Sequence, residues 1–462
     1  MMINGDEYIR RIKCYSRDMY VMGERVGFDH PNVEPVLKAI SITYDLAKEK
    51  GYHTYSELVN REVNILNTCC RTPDDLIKRY DFQRELSMRL ATCNYRCPGA
   101  DAINAFMSVL EGDERDRFLG LLREIQENDY ACTSALTDPK GDRSRRPSEQ
   151  REMYVRVVEE REDGIIVEGA KIHQSGAFAA DVNFFLPGQT FREGEEEFAV
   201  AFALKPEDRG VKYILQNTGM QAKQRDGGEF ERGNPYGDRI TCTVVLDRVF
   251  VPWERVFIYG DLKKVRELLT AFANSHRCVG AACKAGFVDS MTGAASLMIR
   301  ANGLEKVQAL RSKLGEMSAV SEGAYAIAVG AAVKGVEKNG VWLPDAIMAN
   351  AGKVIGVEGF AKAMRHLADI AGGIPGTAPS EFDLRSEETG RYVEKYVRGA
   401  EDFSAEDRLR LIKFIEFWLT SSHYIGALHG GGSVSASVIF LQYMSDFSTK
   451  EDAVRKAINL KS

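Results

Sequence analysis

Met153-Tyr-Val-Arg-Val-Val-Glu159 and Gly164-Ile-Ile-Val-Glu-Gly-Ala-Lys-Ile172, joined through Asp163-Gly164, form the stretch that decides the fold. Apolar and polar residues alternate in both runs, which is typical of β-strands. Asp-Gly between two such runs is a strong signal for a hairpin turn. Residues 198–204 and 242–252 add two further strands. Residues 137–262 are therefore predicted to form a central antiparallel β domain, either a small barrel or a sandwich.

The segments on either side of the β domain have the apolar spacing of helices. Apolar residues recur every three or four positions in residues 35–47 and 105–111, and Thr72-Pro73 predicts a helix start. The later helices are rich in small residues, which favour close helix packing. We predict an α+β fold, mainly α: an N-terminal helical domain (1–136), the central β domain (137–262) and a C-terminal helical bundle (263–462). This is the order of domains in the acyl-CoA dehydrogenase architecture.

The composition is that of a globular protein without nucleic-acid or membrane partners. The 462 residues are 44% hydrophobic and 28% charged, with a net charge of -6 and no basic run. The N-terminus lacks the pattern of a signal peptide, and no apolar run approaches the length of a membrane span. Nine cysteines in a chain of this length do not indicate a disulfide scaffold, and an odd number cannot pair completely. We therefore expect a cytoplasmic protein with a small-molecule substrate.

Four residues form a candidate metal site: Cys93 and Cys97 in Cys-Asn-Tyr-Arg-Cys, and His276 and Cys283 in His-Arg-Cys-Val-Gly-Ala-Ala-Cys-Lys. Thiolate and imidazole ligands in this number suit an iron–sulfur cluster. On a helix, Cys93 and Cys97 would share a face. His276 and Cys283 would lie about 10.5 Å apart along the axis, which is long for one cluster. We therefore predict a bend or loosened turn near Gly280.

A structural interpretation of these residues competes with the metal site. Two cysteines four apart on a helix are more often small core residues than ligands. A histidine on a long helix is also commonly structural. The remaining cysteines, at positions 14, 69, 70, 132, 242 and 278, are expected to be structural. Spacing alone therefore leaves both interpretations open.

Five motifs resemble those of the 4-hydroxyphenylacetate 3-hydroxylase family. They are Thr137-Asp-Pro-Lys-Gly-Asp-Arg-Ser144, Gly169-Ala-Lys-Ile-His-Gln-Ser-Gly176, Val249-Phe-Val-Pro-Trp-Glu-Arg-Val-Phe257, Asp369-Ile-Ala-Gly-Gly373 and His429-Gly-Gly-Gly-Ser433. Within that family, the chain resembles the branch of 4-hydroxybutyryl-CoA dehydratase/vinylacetyl-CoA isomerases. That resemblance implies an anaerobic, homotetrameric lyase or isomerase that acts on a CoA thioester.

The resemblance also implies the cofactors and their residues. It assigns Cys93, Cys97, His276 and Cys283 to one [4Fe-4S] cluster, with His276 also a base and Lys284 a second catalytic residue beside the substrate. It implies FAD contacts from Thr137, Lys140, Arg143 and Ser175. The two glycine-rich breaks would let the backbone approach the dinucleotide, and they contribute Gly372, Gly373, Gly430 and Gly431.

The chain departs from the dehydratase pattern at three positions. Thr241 and Gly426 stand where that branch has glutamates, and Gly280 stands where it has a tyrosine. Loss of groups that transfer protons typically costs two to four orders of magnitude in rate. We therefore predict an altered substrate or reaction, with His173 and His429 as further candidates for proton transfer.

Two other functions compete with the lyase. The first is a two-component FADH2-dependent aromatic monooxygenase of the 4-hydroxyphenylacetate 3-hydroxylase type. That branch carries Arg and Tyr within the segment from Cys93 to Cys97, and a histidine where Ser134 stands here. The second is a flavin-binding scaffold without activity, in which the cluster is vestigial.

Overall fold

Helices make up most of the protein in a computed structural model that describes residues 2–460. They are α1 (Gly5–Lys13), α2 (Glu34–Lys50), α3 (Pro73–Leu90), α4 (Cys97–Val109), α5 (Gly112–Asn128), α6 (Gly219–Asp226), α7 (Leu262–Ala301), α8 (Gln308–Val333), α9 (Ala346–Ala371), α10 (Glu381–Arg385), α11 (Gly390–Val397), α12 (Ala405–Thr420), α13 (His423–His429), α14 (Val434–Met444) and α15 (Phe447–Ala457).

The strands form two larger sheets and two hairpins. They are β1 (Asp18–Val21), β2 (Glu24–Val26), β3 (His53–Ser56), β4 (Arg61–Asn64), β5 (Cys132–Ala135), β6 (Arg156–Arg161), β7 (Gly164–Ser175), β8 (Val182–Phe185), β9 (Val200–Leu204), β10 (Val211–Leu215), β11 (Thr241–Pro252), β12 (Val256–Tyr259), β13 (Val336–Lys338) and β14 (Val341–Leu343). The sheet orders are β2-β1-β10-β11-β7-β6 and β12-β9-β8-β5, and β3-β4 and β13-β14 are hairpins. Side chains from both larger sheets, such as Val167 and Phe202, pack in one hydrophobic core.

The helix-rich α+β class is confirmed, and so is the hairpin at Asp163-Gly164, where β6 pairs with β7. Thr72 caps α3 as predicted, with Pro73 in the first turn. Two details were wrong. Residues 1–136 are not helical throughout, because β1 to β5 lie within them, and the sheets are not purely antiparallel, because β1–β10 and β5–β8 pair in parallel. The partner of β1 lies far away in sequence, so local periodicity could not reveal it. The three-domain division stays a prediction.

Helix α7 is the central element of the helical part and packs on α3, α4, α8 and α9. The approach to α3 is close at Gly286, where a Cβ atom would lie 2.1 Å from the carbonyl oxygen of Arg84. Any side chain at this position would force the two helices apart. Gly286 therefore fixes the distance between α7 and the end of α3, and with it the loop that carries Cys93.

The C-terminal helices are apolar yet poorly buried. By length and composition alone, the segment Ala405–Met444 could cross a membrane, and only 6% of its most apolar window is buried. It is divided among α12, α13 and α14, with breaks at Ser421 and in the glycines after His429. Exposed large apolar side chains continue along α14 and α15, including those of Ile439, Tyr443 and Phe447.

Candidate active site

The loop between α3 and α4 carries Cys93, whereas Cys97 is the first residue of α4. The prediction that the two cysteines share a helical face was therefore wrong. Helix α3 ends at Ala91 in a left-handed conformation, and α4 begins anew with Pro98 in its first turn, a position that proline favours. Asn94 Oδ1 accepts hydrogen bonds from the backbone N–H of Cys97 at 3.2 Å and of Arg96 at 3.0 Å. The loop is thus a built turn that folds Cys93 back towards Cys97.

The thiols of Cys93, Cys97 and Cys283 lie close enough to change one another's ionisation. The Cys97 thiol hydrogen-bonds to the sulfur of Cys93, and this contact is the main cause that lowers the pKa of Cys93 to about 6. The same contact, together with burial, raises the pKa of Cys97 well above its usual value. Burial raises the pKa of Cys283 to about 11, although Ser87 Oγ donates a hydrogen bond to its sulfur at 3.3 Å. Cys93 is therefore the first of the three to become a thiolate, the form that binds metal.

His276 joins this group through a carboxylate that the sequence did not single out. Its Nδ1 hydrogen-bonds to Asp101 Oδ2 at 2.8 Å, and Asp101 is 1% exposed. Asp101 lies one helical turn after Cys97 on α4, so their separation of four residues was a signal that could have been found. A carboxylate on Nδ1 holds the proton there and leaves Nε2 free to bind a metal or take a proton.

Helix α7 carries His276 and Cys283 without interruption from Leu262 to Ala301. The predicted loosened turn near Gly280 was therefore wrong. Gly280 has another use: a Cβ atom there would lie 3.5 Å from Lys284 Nζ, and this Nζ donates to the carbonyl oxygen of Gly280 at 3.1 Å. The missing side chain leaves the space in which Lys284 folds back along its own helix.

The four candidate ligands, Cys93, Cys97, His276 and Cys283, do not form a site for a single metal ion. Among residues 2–460, no three His, Cys, Asp or Glu side chains converge on a position for a single ion. A four-iron cluster imposes a different geometry, because each ligand binds a different iron and the ligands surround the cluster. Three thiols that act on one another's pKa, together with an imidazole bound to a carboxylate, have the chemistry of that ligand set.

Tyr95, between the two cysteines, fastens this loop to the β domain. Its hydroxyl donates to the carbonyl oxygen of Asp238 at 3.2 Å and accepts from the N–H of Ile240 at 3.1 Å. Its ring lies against Gly176 at the end of β7, where a Cβ atom would lie 2.7 Å from Tyr95 Cβ. Because Tyr95 holds the residues on both sides of Arg239, it places Arg239 beside the cysteines.

Arg239 lies next to two positions where the chain departs from the dehydratase pattern, Gly426 and Thr241. Its Nε and Nη2 donate to Ser175 Oγ at 3.3 and 3.1 Å. A Cβ atom at Gly426 would lie 2.1 Å from Arg239 Nη1, so the guanidinium occupies the space of the missing side chain. Thr241, two residues further on, donates its hydroxyl proton to Gln216. No local pattern in the sequence indicates this arrangement, since Gly426 and Arg239 are distant along the chain.

Neighbouring positive charges act on both Lys284 and Lys353 in the same region. Burial is the main cause that lowers the pKa of Lys284, and the charge of Arg239 lowers it further. Burial and the charges of Lys284, Arg277 and Arg239 lower the pKa of Lys353 to about 6. Lys353 Nζ donates to the carbonyl oxygens of residues 427, 428 and 430 at 2.7–2.9 Å, which ties α9 to the end of α13.

His173 and His429, the further candidates for proton transfer, lie in the same electrostatic environment. Burial lowers the pKa of His173, and the charges of Arg239 and His429 lower it further. His173 also has a left-handed backbone conformation, with φ of 62°. The structure thus brings together side chains from β7, from the segment before β11 and from α13.

The predicted flavin loop, with Thr137, Lys140 and Arg143, is held at its base by residues of β7. Lys171 Nζ and Asp138 Oδ1 form a fully buried ion pair at 2.7 Å. The Thr137 carbonyl oxygen accepts a hydrogen bond from the N–H of Ile172 at 2.8 Å. Arg143 is exposed, as is required of a group that would meet a ligand from outside. The loop is rigid at its base and open at its tip.

The two predicted glycine pairs have different surroundings. Gly431 packs on the site: a Cβ atom there would lie 3.7 Å from His276 Cδ2, and its carbonyl oxygen accepts from Arg277 Nε at 3.1 Å. Gly372 and Gly373 face open space, with no atom of the described residues within 4 Å of either Cβ position. Gly430 and Gly431 therefore belong to the same site as the cysteines, whereas Gly372 and Gly373 do not contact it.

Family profiles match almost the whole chain: 4-hydroxyphenylacetate 3-hydroxylase N terminal over residues 4–258 and 4-hydroxyphenylacetate 3-hydroxylase C terminal over residues 265–459. The chain belongs to this family. It is 31% identical over 490 residues to the 4-hydroxybutyryl-CoA dehydratase/vinylacetyl-CoA-Delta-isomerase of Clostridium aminobutyricum, and the match covers 100% of both chains. The resemblance predicted from the motifs is confirmed.

Solved structures of the family have the same fold. An oxygen-tolerant archaeal 4-hydroxybutyryl-CoA dehydratase from N. maritimus superposes with a TM-score of 0.97 at 30% identity, covering 100% of this chain and 96% of that one. The oxygenase component of 4-hydroxyphenylacetate 3-monooxygenase, solved in complex with FAD, gives 0.87 at 22% identity, covering 99% and 98%. The second likeness shows the fold alone.

Proposed function

We propose that the protein is an FAD- and iron–sulfur-dependent lyase or isomerase that dehydrates a CoA thioester or shifts its double bond. One observation carries the proposal: Cys93, Cys97 and Cys283 influence one another's pKa, and Asp101, which raises the pKa of Cys97, also hydrogen-bonds to the imidazole of His276. The similarity to a dehydratase over the full chain supports the same reaction class. The altered positions 241, 280 and 426 support a substrate that differs from the relative's.

In this proposal Cys93, Cys97, His276 and Cys283 hold one [4Fe-4S] cluster. Thr137, Lys140, Arg143, Ser175, Gly430 and Gly431 hold FAD, and Gly372 and Gly373 reach the FAD of a neighbouring subunit. When bound, the flavin would exchange an electron with the substrate, and the iron without a cysteine ligand would act as a Lewis acid towards the leaving hydroxyl.

The protein's own residues would move the protons. Dehydration removes a proton from one carbon and a hydroxyl from the next, and the two leave as water with no net oxidation. His276 Nε2 would take the proton when it is not bound to the cluster, and Asp101 holds Nδ1. Lys284, which is 6% exposed and has a lowered pKa, is placed to return or relay a proton in a region shielded from water.

We also propose a homotetramer in a reducing cytoplasm. The exposed apolar side chains of α14 and α15 would be covered by neighbouring copies, since surfaces of this kind mark interaction sites. All nine cysteines are free, which suits a reducing compartment.

Anaerobic purification tests the cofactor proposal. We expect a brown protein with bound FAD and about four irons per chain. A yellow or colourless protein without iron, both as isolated and after reconstitution with iron and sulfide, would contradict the cluster. Retention of iron and FAD without turnover of any hydroxyacyl- or enoyl-CoA would contradict the reaction.

The aromatic monooxygenase remains the alternative to exclude in the same experiments. Ser134, at the position of that branch's histidine, is buried in β5 with 6% of its surface exposed. A serine hydroxyl does not titrate near neutral pH, so it would not replace that histidine as an acid or base in hydroxylation of a phenol. Hydroxylation of 4-hydroxyphenylacetate with supplied reduced FAD would overturn the lyase proposal in favour of this alternative.

A further inference from the structure

Arg239 has a donor group, Nη1, with no hydrogen-bond partner among the described residues. Its Nε and Nη2 share one acceptor, Ser175 Oγ, whereas Nη1 lies over Gly426. Within residues 2–460, no carboxylate lies within 4.0 Å of this guanidinium. A guanidinium carries five N–H groups arranged to meet planar anions, and its charge is permanent. The Arg239 guanidinium therefore has unused N–H donors with which it could bind an anion.

The neighbouring cations are also without carboxylate partners. Lys284 and Arg277 form no ion pair with any residue that the structure describes, although ion pairs are common elsewhere in the protein. Partly buried positive charge that is not balanced by the protein favours an anionic ligand. Because Tyr95, between Cys93 and Cys97, hydrogen-bonds to the residues on both sides of Arg239, that ligand would lie beside the candidate cluster site.

We propose that Arg239 binds a second carboxylate of the substrate, so that the enzyme acts on the CoA monothioester of a dicarboxylic acid. This inference rests on the proposed function and names its substrate class. Gly426 contributes by leaving the space that the guanidinium fills. A bidentate contact between guanidinium and carboxylate recognises the planar anion geometrically as well as by charge.

The lack of a carboxylate partner for Arg239 explains two departures from the dehydratase pattern together, at positions 241 and 426. A glutamate at position 426 would collide with Arg239 Nη1, or would pair with it and neutralise it. A glutamate at position 241, two residues from Arg239, would place another negative charge where the substrate's carboxylate would lie. Glycine and threonine at these positions keep the positive charge available, so the changed residues specify a charged substrate.

The test compares two non-reacting ligands with acyl chains of four carbons, succinyl-CoA and butyryl-CoA, on the anaerobic holoenzyme. They differ in a terminal carboxylate against a methyl group. We expect succinyl-CoA to bind at least about tenfold more tightly, because hydrogen bonds to charged groups are worth that much. Arg239→Gln should reduce the preference to within about twofold. Arg248→Gln, an exposed arginine on β11, is the matched control and should preserve it.

Three further outcomes separate the possibilities. Equal binding of the two thioesters, or a preference that survives Arg239→Gln, would overturn the inference. Loss of FAD from Arg239→Gln with no change in the preference would assign the guanidinium to the flavin phosphates and overturn it too. If neither thioester binds but free succinate binds better than butyrate in an Arg239-dependent way, the carboxylate site stands and the proposed use of CoA fails.

Discussion

The candidate site has two sides that differ in how they compare with the dehydratase pattern. The cysteine side, formed by Cys93, Cys97, His276 and Cys283, keeps every predicted ligand. The arginine side, formed by Arg239, Thr241 and Gly426 with Ser175, lacks both glutamates expected from that pattern and contains the cation of Arg239. Tyr95 joins the two sides, since it lies within the cysteine loop and bonds to the backbone around Arg239.

The difference between the two sides indicates that they have different functions. Groups on the cysteine side would hold a cofactor, whose geometry tolerates no change of ligand. Groups on the arginine side would meet the part of the substrate that varies between enzymes. A family can therefore change its substrate at one edge of a site while the chemistry at the other edge is retained. The following substitutions test whether the two sides are separable.

The largest effect is expected on the cysteine side, from Cys97→Ala. Loss of this thiolate should remove the cluster and reduce turnover below detection, while FAD remains bound. Iron content, the visible spectrum and turnover are the measurements. Cys278→Ala is the control, because Cys278 is a buried thiol on the same helix as His276 and is outside the ligand set. Normal turnover in Cys97→Ala would show that the cysteine side holds no catalytic cluster.

Lys284→Gln should have the next largest effect, because Lys284 lies between the two sides. We expect turnover to fall by about 10²- to 10⁴-fold, the usual contribution of a group that transfers a proton in the transition state. Iron and FAD content should not change. Lys263→Gln, which removes an exposed lysine from the same helix, should leave turnover unchanged. An equal loss of iron in Lys284→Gln would instead indicate that the lysine supports the cluster.

Asp101→Ala tests the support of the cysteine side, which should be weaker than the ligands themselves. Removal of a carboxylate that orients a metal-binding histidine typically costs about 10- to 100-fold in metal affinity or activity. The rate of iron loss to a chelator and the turnover number are the measurements. Partial recovery in Asp101→Asn, which can still accept from Nδ1, would support an orienting role. Equal defects in both variants would point to a requirement for the negative charge.

The sequence predicted the parts of this site that local patterns and family motifs encode. It identified the four candidate ligands, the hairpin at Asp163-Gly164 and the cap at Thr72. It did not predict that Pro98 starts a new helix after Cys93, because Cys-x3-Cys fits helix and turn equally well. Arg239 and Gly426 were beyond its reach as a pair. Their contact depends on how α13 packs beside the segment before β11, and no local periodicity records such a contact.

The smallest effect is expected on the arginine side, from Gly426→Ala. A Cβ atom there would lie 2.1 Å from Arg239 Nη1, so the flexible guanidinium must shift. Alanine is a better helix former than glycine by about 0.5–1 kcal/mol, which offsets part of the cost of this shift, so the free energy of unfolding should change little. Iron, FAD and the fold should be retained.

What Gly426→Ala should change is selectivity. If Arg239 binds a carboxylate from the position seen here, the preference for succinyl-CoA over butyryl-CoA should fall by about threefold to tenfold, since a displaced guanidinium loses part of a charge-assisted hydrogen bond. Ile425→Ala, which truncates an exposed side chain on the same helix, should leave the preference intact. An unchanged preference in Gly426→Ala would mean that the space above this glycine is not where the charged end of the substrate binds. The two sides of the site would then differ for a reason unrelated to substrate charge.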